Sequence, residues 1–273
     1  MPTRLPAFYI SHGGGPWPWI PPMRAAMATL EQSLVAMVAA LPERPRAILM
    51  VSGHWQTAQV RIMSSAQPGM VYDYHGFPPH TYEIVYPAPG APDVAARAAQ
   101  LLAAAGIAAT LDASQGYDHG TFAPMAVMYP AADMPLLQMS IVASYDPAQH
   151  IRIGRALAPL RDEGVLIVGS GLSYHNLRLF GPAGRAPSAA FDAWLSASLA
   201  LPPAPRVQAL LAWEQAPQAR VCHPQEDHLV PLFVAVGAAG TDPATRIYHD
   251  TEVMGGITAS SFAFGQPCQT SHP

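Results

Sequence analysis

The chain has 273 residues, half of them hydrophobic, with a net charge of −4 and only 12% charged residues. That balance excludes a disordered segment, a nucleic-acid-binding arm and a polybasic membrane surface, and apolar stretches such as 101–109 and 230–239 are too short to cross a bilayer. All 14 basic residues are arginines, so Schiff-base, pyridoxal phosphate and P-loop lysines are ruled out, and Cys222 with Cys268 is too few for a disulfide framework.

The first element is an apolar run, Ala7 to Ile10, which suits a strand buried on both faces and leads into Ser11-His12-Gly13-Gly14-Gly15-Pro16. The glycines permit a sharp turn and a close approach, either as a phosphate cradle or as a pocket wall. Pro16 to Pro22 is a rigid loop in which Trp17 and Trp19 offer aromatic walls. Met23 to Leu41 carries apolar residues at helical spacing and predicts one amphipathic helix, stopped by Pro42 to Pro45. Ala47 to Ser52 is a second apolar run, ending in Gly53-His54-Trp55. Val60 to Ser64 and Thr81 to Tyr86 are predicted strands. The segment Tyr72 to His80 between them, dense in aromatic and polar groups, is a candidate lid or pocket wall.

Asp93 to Ala105 is a predicted helix ended by Gly106, and Ala108 to Leu111 a short strand. Gly116 to Phe122 places His119 among turn residues, ahead of a short helix at Ala123 to Tyr129. Leu136 to Ile141 is a strand, and Pro147 to Leu160 a helix with its proline in the first turn. Val165 to Val168 is a further apolar run, leading through Gly169-Ser170-Gly171 to His175-Asn176. Gly181 to Pro187 reads as a loop, followed by helices at Ser188 to Leu201 and Arg206 to Trp213. Pro231 fits only a first turn, so the helix ending at Ala239 should begin near 226–228, with His228 at its positive end. The dipole there favours a neutral ring. Arg246 to Thr251 and Ile257 to Phe264 close the chain as a hairpin around Gly255-Gly256. Strands alternating with helices predict an α/β fold: a single three-layer domain over 1–273, with a central mostly parallel or mixed sheet flanked by helices. The amino terminus lacks a secretory pattern, so a cytoplasmic location is expected, with no membrane or nucleic-acid partner.

His12, His54 and His175 each follow an apolar run with small residues beside them. In a parallel sheet the carboxyl ends of such strands line one rim, where the three rings can converge and where His119 and His228 can join them. One histidine in such a turn is ordinary; three placed alike point to a shared metal site. Neutral imidazoles suit zinc, Fe(II), copper and nickel alike, and two or three of them with Glu226 or Asp227 fit the facial triad of non-haem iron. No HExxH and no GxSxG spacing is present, which removes the common zinc-protease and serine-hydrolase arrangements. Arg178 and Arg185 are candidates for holding a substrate carboxylate, although exposed arginines are the commoner reading.

With these pieces assembled, the sequence resembles the class III, LigB-type extradiol ring-cleavage dioxygenases, within them the branch named for 4,5-DOPA extradiol dioxygenase. The resemblance rests on Ser11-His12-Gly13-Gly14-Gly15-Pro16, Ser52-Gly53-His54-Trp55, Tyr72-Asp73-Tyr74-His75-Gly76-Phe77-Pro78, Asp118-His119-Gly120-Thr121-Phe122, His175-Asn176-Leu177 and His223-Pro224 to Asp227-His228-Leu229. It implies a metal-dependent enzyme that inserts both atoms of O₂ into a small catechol and opens the ring. His12, His54 and His228 are then the implied metal ligands, with Glu226 as a rival for the third. His175 is the implied acid/base and His119 a second active-site histidine. The resemblance implies Fe(II) for activity, with zinc a plausible bound metal and His175 then approaching it. A zinc hydrolase using the same pocket and a non-enzymatic relative are the alternatives; a role in metal binding alone needs neither His175 nor His119. Asn176 either orients His175 or supports its turn. A homo-oligomer is left open.

Overall fold

The computed structural model describes residues 4–265, so Cys268 lies outside the described residues. In chain order the strands are β1 (Ala7–Ser11), β2 (Ala47–Thr57), β3 (Val60–Met63), β4 (Ala109–Asp112), β5 (Leu136–Val142), β6 (Val165–Gly171), β7 (Ala244–Val253) and β8 (Ile257–Phe264). The helices are α1 (Pro21–Ala26), α2 (Ala28–Ala39), α3 (Pro92–Ala104), α4 (His119–Met128), α5 (Pro147–Leu157), α6 (Pro182–Leu199), α7 (Pro203–Leu211), α8 (Ala219–Cys222) and α9 (Val230–Ala239). The strands form one eight-stranded mixed sheet in the order β4-β3-β5-β2-β6-β1-β8-β7. Its centre, β5-β2-β6-β1, is parallel throughout, and these are the continuous apolar runs that burial on both faces requires. β8 joins β1 antiparallel and carries the closing hairpin with β7.

Alternate residues of β6 show what covers each face. A Cβ on Gly169 would lie 2.3 Å from the Pro231 carbonyl oxygen, and one on Gly171 2.0 Å from that of His228. Bare glycines therefore let α9 and the turn before it lie directly on this face. Ser170, between them, points the other way and donates its hydroxyl to the Gly120 carbonyl in α4. Thus α4 and α9 cover opposite faces; α5 packs on α9, and α2 on α4. All ten residues of α9 are buried, as a helix apolar on every side must be.

Four predicted elements take another form. The long helix at 23–41 starts at Pro21 and divides at Met27, which leaves helical geometry (φ −108°, ψ 20°) and buries its side chain beside the Gly13 turn. Thr81 to Tyr86 is not a strand. It starts in a tight 3-10 turn over Pro79–Tyr82 and its backbone is held by side chains: Tyr72 donates to the Ile84 carbonyl at 2.7 Å, and Tyr74 to that of Thr81. α4 begins at His119, four residues ahead of its predicted start, because Asp118 caps it by accepting the Thr121 amide at 3.1 Å. The predicted loop at 181–187 is helical from Pro182 onward, with Pro187 inside α6, because that helix packs Phe191 and Leu195 into the core beside β8.

Candidate metal centre and active site

Three parallel strands deliver histidines to one rim, each by a different local device. His12 directly follows β1; its amide donates to the Gly171 carbonyl at 3.1 Å, and its own carbonyl accepts Trp17 Nε1 at 2.9 Å. Trp17 is therefore buried beneath the turn and does not wall the pocket. His54 was expected just past a strand end. It lies within β2, at a bulge where the pairing with β5 jumps from Ser52↔Ser140 to Gln56↔Ile141. An extra segment of this kind re-aims a side chain, and here it turns His54 inward. His175 follows β6 after a short turn, with its amide donating to the Cys222 carbonyl at 2.9 Å. Helix ends supply the other two. His119 opens α4, and His228 sits just before α9, its carbonyl fixed by the Tyr9 hydroxyl at 2.9 Å and the Leu172 amide at 3.1 Å.

The five rings form one cluster. Ring centroids lie 5.0 Å apart for His12–His54, 5.2 Å for His12–His228, 5.4 Å for His12–His119, 4.7 Å for His54–His228 and 4.0 Å for His54–His119. His175 stacks on His228 at 3.3 Å. The cluster forms the floor of a cavity of about 500 Å³, within the usual range of small-molecule sites. Of the two readings of the 72–80 segment, lid or pocket wall, the structure has the wall: Asp73, Tyr74, His75 and Phe77 line one side of the cavity.

Two carboxylates brace the rings in the same way. Asp73 accepts from His119 Nδ1 at 2.8 Å, and its other oxygen lies 3.0 Å from His54 Nδ1. It also accepts the His119 amide at 3.1 Å. Asp227 lies 3.0 Å from His228 Nδ1 and 3.5 Å from His175 Nδ1; neither contact is aligned as a hydrogen bond, so the attraction there is electrostatic. Each carboxylate thus spans one expected ligand and one further expected active-site histidine, His119 for Asp73 and His175 for Asp227. Sequence reasoning placed Asp73 only in the pocket wall and weighed Asp227 only as a ligand. The available signal was an acidic residue inside an aromatic loop with no basic neighbour. Glu226 points elsewhere, paired with Arg220 at 2.5 Å. Asn176 does not touch His175: it donates to the Val221 carbonyl at 2.7 Å and accepts the Arg178 amide at 3.0 Å, so it supports the turn. Arg185 is engaged by Glu252 at 2.6 and 2.8 Å.

The electrostatics favour neutral rings. Burial, then the fields of His54, His228, His119 and His175, holds His12 well below the ordinary histidine range. Burial and neighbouring histidines also lower His228, strongly, and His119, despite Asp227 and Asp73. His54 differs: burial opposes its charge, but Asp73, Asp118 and Asp227 outweigh that and raise it. Burial would raise the two bracing carboxylates, yet the histidines beside each bring both well below the usual range. Asp118, buried under His54, is raised by that burial to about 6.

A metal ion fits these residues on two observations. Both ring nitrogens of His12 are buried with no hydrogen-bond partner, an arrangement that costs free energy unless something binds them. His54 Nε2 and His228 Nε2 face one another at 3.1 Å. Ligands at about 2.0–2.1 Å from one ion stand roughly 3 Å apart when adjacent, so this spacing suits a shared cation. His12, His54 and His119 also place ligand atoms within 4.8 Å of one another, as do His175, Asp227 and His228, so either trio can hold an ion.

Residues 8–265 match the family described as the catalytic LigB subunit of aromatic ring-opening dioxygenase. The chain belongs to the LigB family. Among its relatives, the dioxygenase tasH of Hapsidospora irregularis is 39% identical, covering 91% of this chain and 83% of that one. The 4,5-DOPA dioxygenase extradiol of Beta vulgaris is 38% identical over 81% and 84%, and that of Escherichia coli K12 is 35% identical over 96% of each. A crystal structure of an uncharacterized protein, JW3007, from Escherichia coli K12 superposes with a TM-score of 0.77 at 31% identity, covering 96% of this chain and all of that one. The LigB chain is therefore an extradiol ring-opening dioxygenase, which sets aside the hydrolase and non-enzymatic alternatives. No helix among the described residues is long and apolar enough to cross a membrane.

Proposed function

We propose that this dioxygenase opens a small catechol beside its two hydroxyls, using a ferrous ion held by His12, His54 and His228, with His175 moving protons and His119 as a second catalytic histidine that hydrogen-bonds the reacting groups. The observation that carries the reading is His12 itself, a buried imidazole with neither nitrogen satisfied, packed against the rings of His54, His119 and His228. His54 and His228 are favoured as its co-ligands because Asp73 and Asp227 occupy their Nδ1 sides and leave the facing Nε2 atoms for the ion. When bound, a ferrous ion supplies the one-electron chemistry that couples a catechol to O₂, which no amino-acid side chain here can provide.

The remaining work falls to the chain. His175 lies on the cavity side of His228, with Asp227 beside its Nδ1 and its Nε2 free to take a phenolic proton. An imidazole can return that proton to a departing oxygen later in the reaction. His119, fixed through Nδ1 by Asp73, offers Nε2 as a hydrogen-bond partner beside His54, its ring 4.0 Å from that of His54. Tyr74 packs edge-on against His119 at 5.7 Å and against Phe77 at 5.4 Å, which gives the substrate ring an aromatic wall. The relatives named 4,5-DOPA dioxygenase extradiol support a catechol as the substrate class.

The test is enzyme loaded with Fe(II) under argon, metal content verified, then mixed with oxygen and a panel of catechols. One O₂ consumed per catechol, with a yellow ring-opened product, is expected. Full iron occupancy with no oxygen uptake on any catechol would refute the proposal.

A further inference from the structure

We infer that the catechol taken here carries an uncharged apolar substituent, so that the enzyme selects against catechols with an anionic tail. The inference rests on the ring-cleavage reading of the same site and adds what the cavity mouth recognises.

A cavity of about 150 Å³ suffices for a benzene ring, and this one measures about 500 Å³, so a substituent has room beyond the catechol. Above the histidine floor the walls are Met23, Phe77, Leu177, Phe180 and Met254, with His75 exposed at the edge. Leu177 is 66% exposed and adds to the apolar surface that Met23, Phe77, Phe180 and Met254 present at the cavity. Met254 sits in the left-handed region (φ 49°) at the β7–β8 turn, where a side chain of its size is uncommon. That turn places it over the glycines: a Cβ on Gly14 would lie 2.8 Å from Met254 Cε, and one on Gly15 2.6 Å from the Phe77 ring. The glycine turn read as a possible phosphate cradle is therefore lined with apolar groups on its Cβ side.

No arginine is among the described residues lining the cavity, and the sequence has no lysine. Arg24 is engaged by Glu31 at 2.5 and 2.8 Å and Arg185 by Glu252, while Arg178, next to Leu177, is exposed outside the lining. The fixed charges that do face the cavity are the carboxylates of Asp73 and Asp227. A carboxylate tail packed in this lining would lose hydration against methionine and phenylalanine, with no arginine or lysine among the lining residues to offset the loss. An alkyl or aryl tail would bury apolar surface against the same groups.

The experiment uses the iron-loaded enzyme with catechol and its 4-methyl, 4-ethyl and 4-propyl derivatives, and with 3-(3,4-dihydroxyphenyl)propionate as the charged tail. Specificity is read as kcat/KM from oxygen uptake, and affinity by calorimetry under argon, where no turnover is needed. Each methylene should raise both by about fourfold, the equivalent of ~0.8 kcal/mol per buried CH₂. The propionate should fall at least tenfold below the propyl compound, and Met254→Arg should shift that ratio at least tenfold toward the propionate. A flat alkyl series, a propionate equal to or better than the propyl compound, or a Met254→Arg ratio unchanged would overturn the inference. If no catechol is opened, the ring-cleavage reading fails by itself, while the argon affinities still decide what the mouth prefers.

Discussion

Replacing Asp73 by Asn tests the idea that one carboxylate sets the proton positions of two histidines. Asp73 is 2.8 Å from His119 Nδ1 and 3.0 Å from His54 Nδ1, and its side chain is only 17% exposed. As a carboxylate it only accepts, so both rings keep their proton on Nδ1 and present Nε2 as a lone pair toward the centre. Asparagine has nearly the same shape but one oxygen and one amide nitrogen. Whichever ring meets the NH₂ group must accept at Nδ1, so its proton moves to Nε2, the atom facing the ion. If that ring is His54, a ligand lone pair is lost; if it is His119, a hydrogen-bond acceptor becomes a donor. Loss of such a supporting partner typically weakens metal binding by about 10- to 100-fold, or roughly 1.4–2.8 kcal/mol at 1.4 kcal/mol per tenfold. Competition against a chromogenic chelator gives the affinity, and the unfolding midpoint of the metal-free protein serves as control. Metal affinity and turnover both within twofold of wild type would show that Asp73 does not set the tautomers.

The other predictions concern separate parts of the molecule. His12→Ala should fold but retain little metal by elemental analysis, whereas His175→Ala should keep its metal and lose about 10²- to 10⁴-fold in turnover, the usual worth of a general acid/base; full occupancy in the first or full activity in the second contradicts the assigned role. Gly171→Ala puts a methyl 2.0 Å from the His228 carbonyl oxygen, and such overpacking should cost about 1–3 kcal/mol in thermal unfolding and displace His228, with a matching loss of metal; an unperturbed variant would mean that α9 can yield freely. Burial holds His223 down at about 3, with its Nε2 against the Ser173 carbonyl at 3.1 Å. Because the folded value lies below the unfolded one near 6.5, this group's stabilisation is full above about pH 6.5 and is lost as pH falls toward 3. Between pH 7 and 5 the loss is about 2 kcal/mol, and His223→Gln, which keeps a donor to Ser173, should remove that component from metal-free urea unfolding curves; identical pH slopes would refute it.

The central sheet was legible because its chemistry is local. β1, β2, β5 and β6 are continuous apolar runs, as strands covered on both faces must be, and each histidine expected at the rim follows such a run. Segments whose form depends on a distant partner were not legible. Thr81 to Tyr86 has the composition of a strand, yet hydroxyls of Tyr72 and Tyr74 hold it outside the sheet. The helix at 23–41 breaks because Met27 packs on a glycine turn more than ten residues earlier in the chain, which periodicity does not record.

The candidate centre divides along the same line. Sequence alone determined which side chains are available: histidines behind buried strands, glycines beside them, and no lysine for other chemistry. It could also carry a family likeness, because the motifs stand in order along the chain. Tertiary structure decided how those side chains work together. Asp73 lies 46 residues from His119 in sequence and Asp227 lies 52 from His175, so pairing each carboxylate with its histidines is a property of the folded rim. The bulge that turns His54 inward arises from a slip in register between β2 and β5, which no local pattern in either strand specifies. Sidedness and register are collective properties of packed strands, whereas the ability of an imidazole to bind a metal belongs to the residue itself.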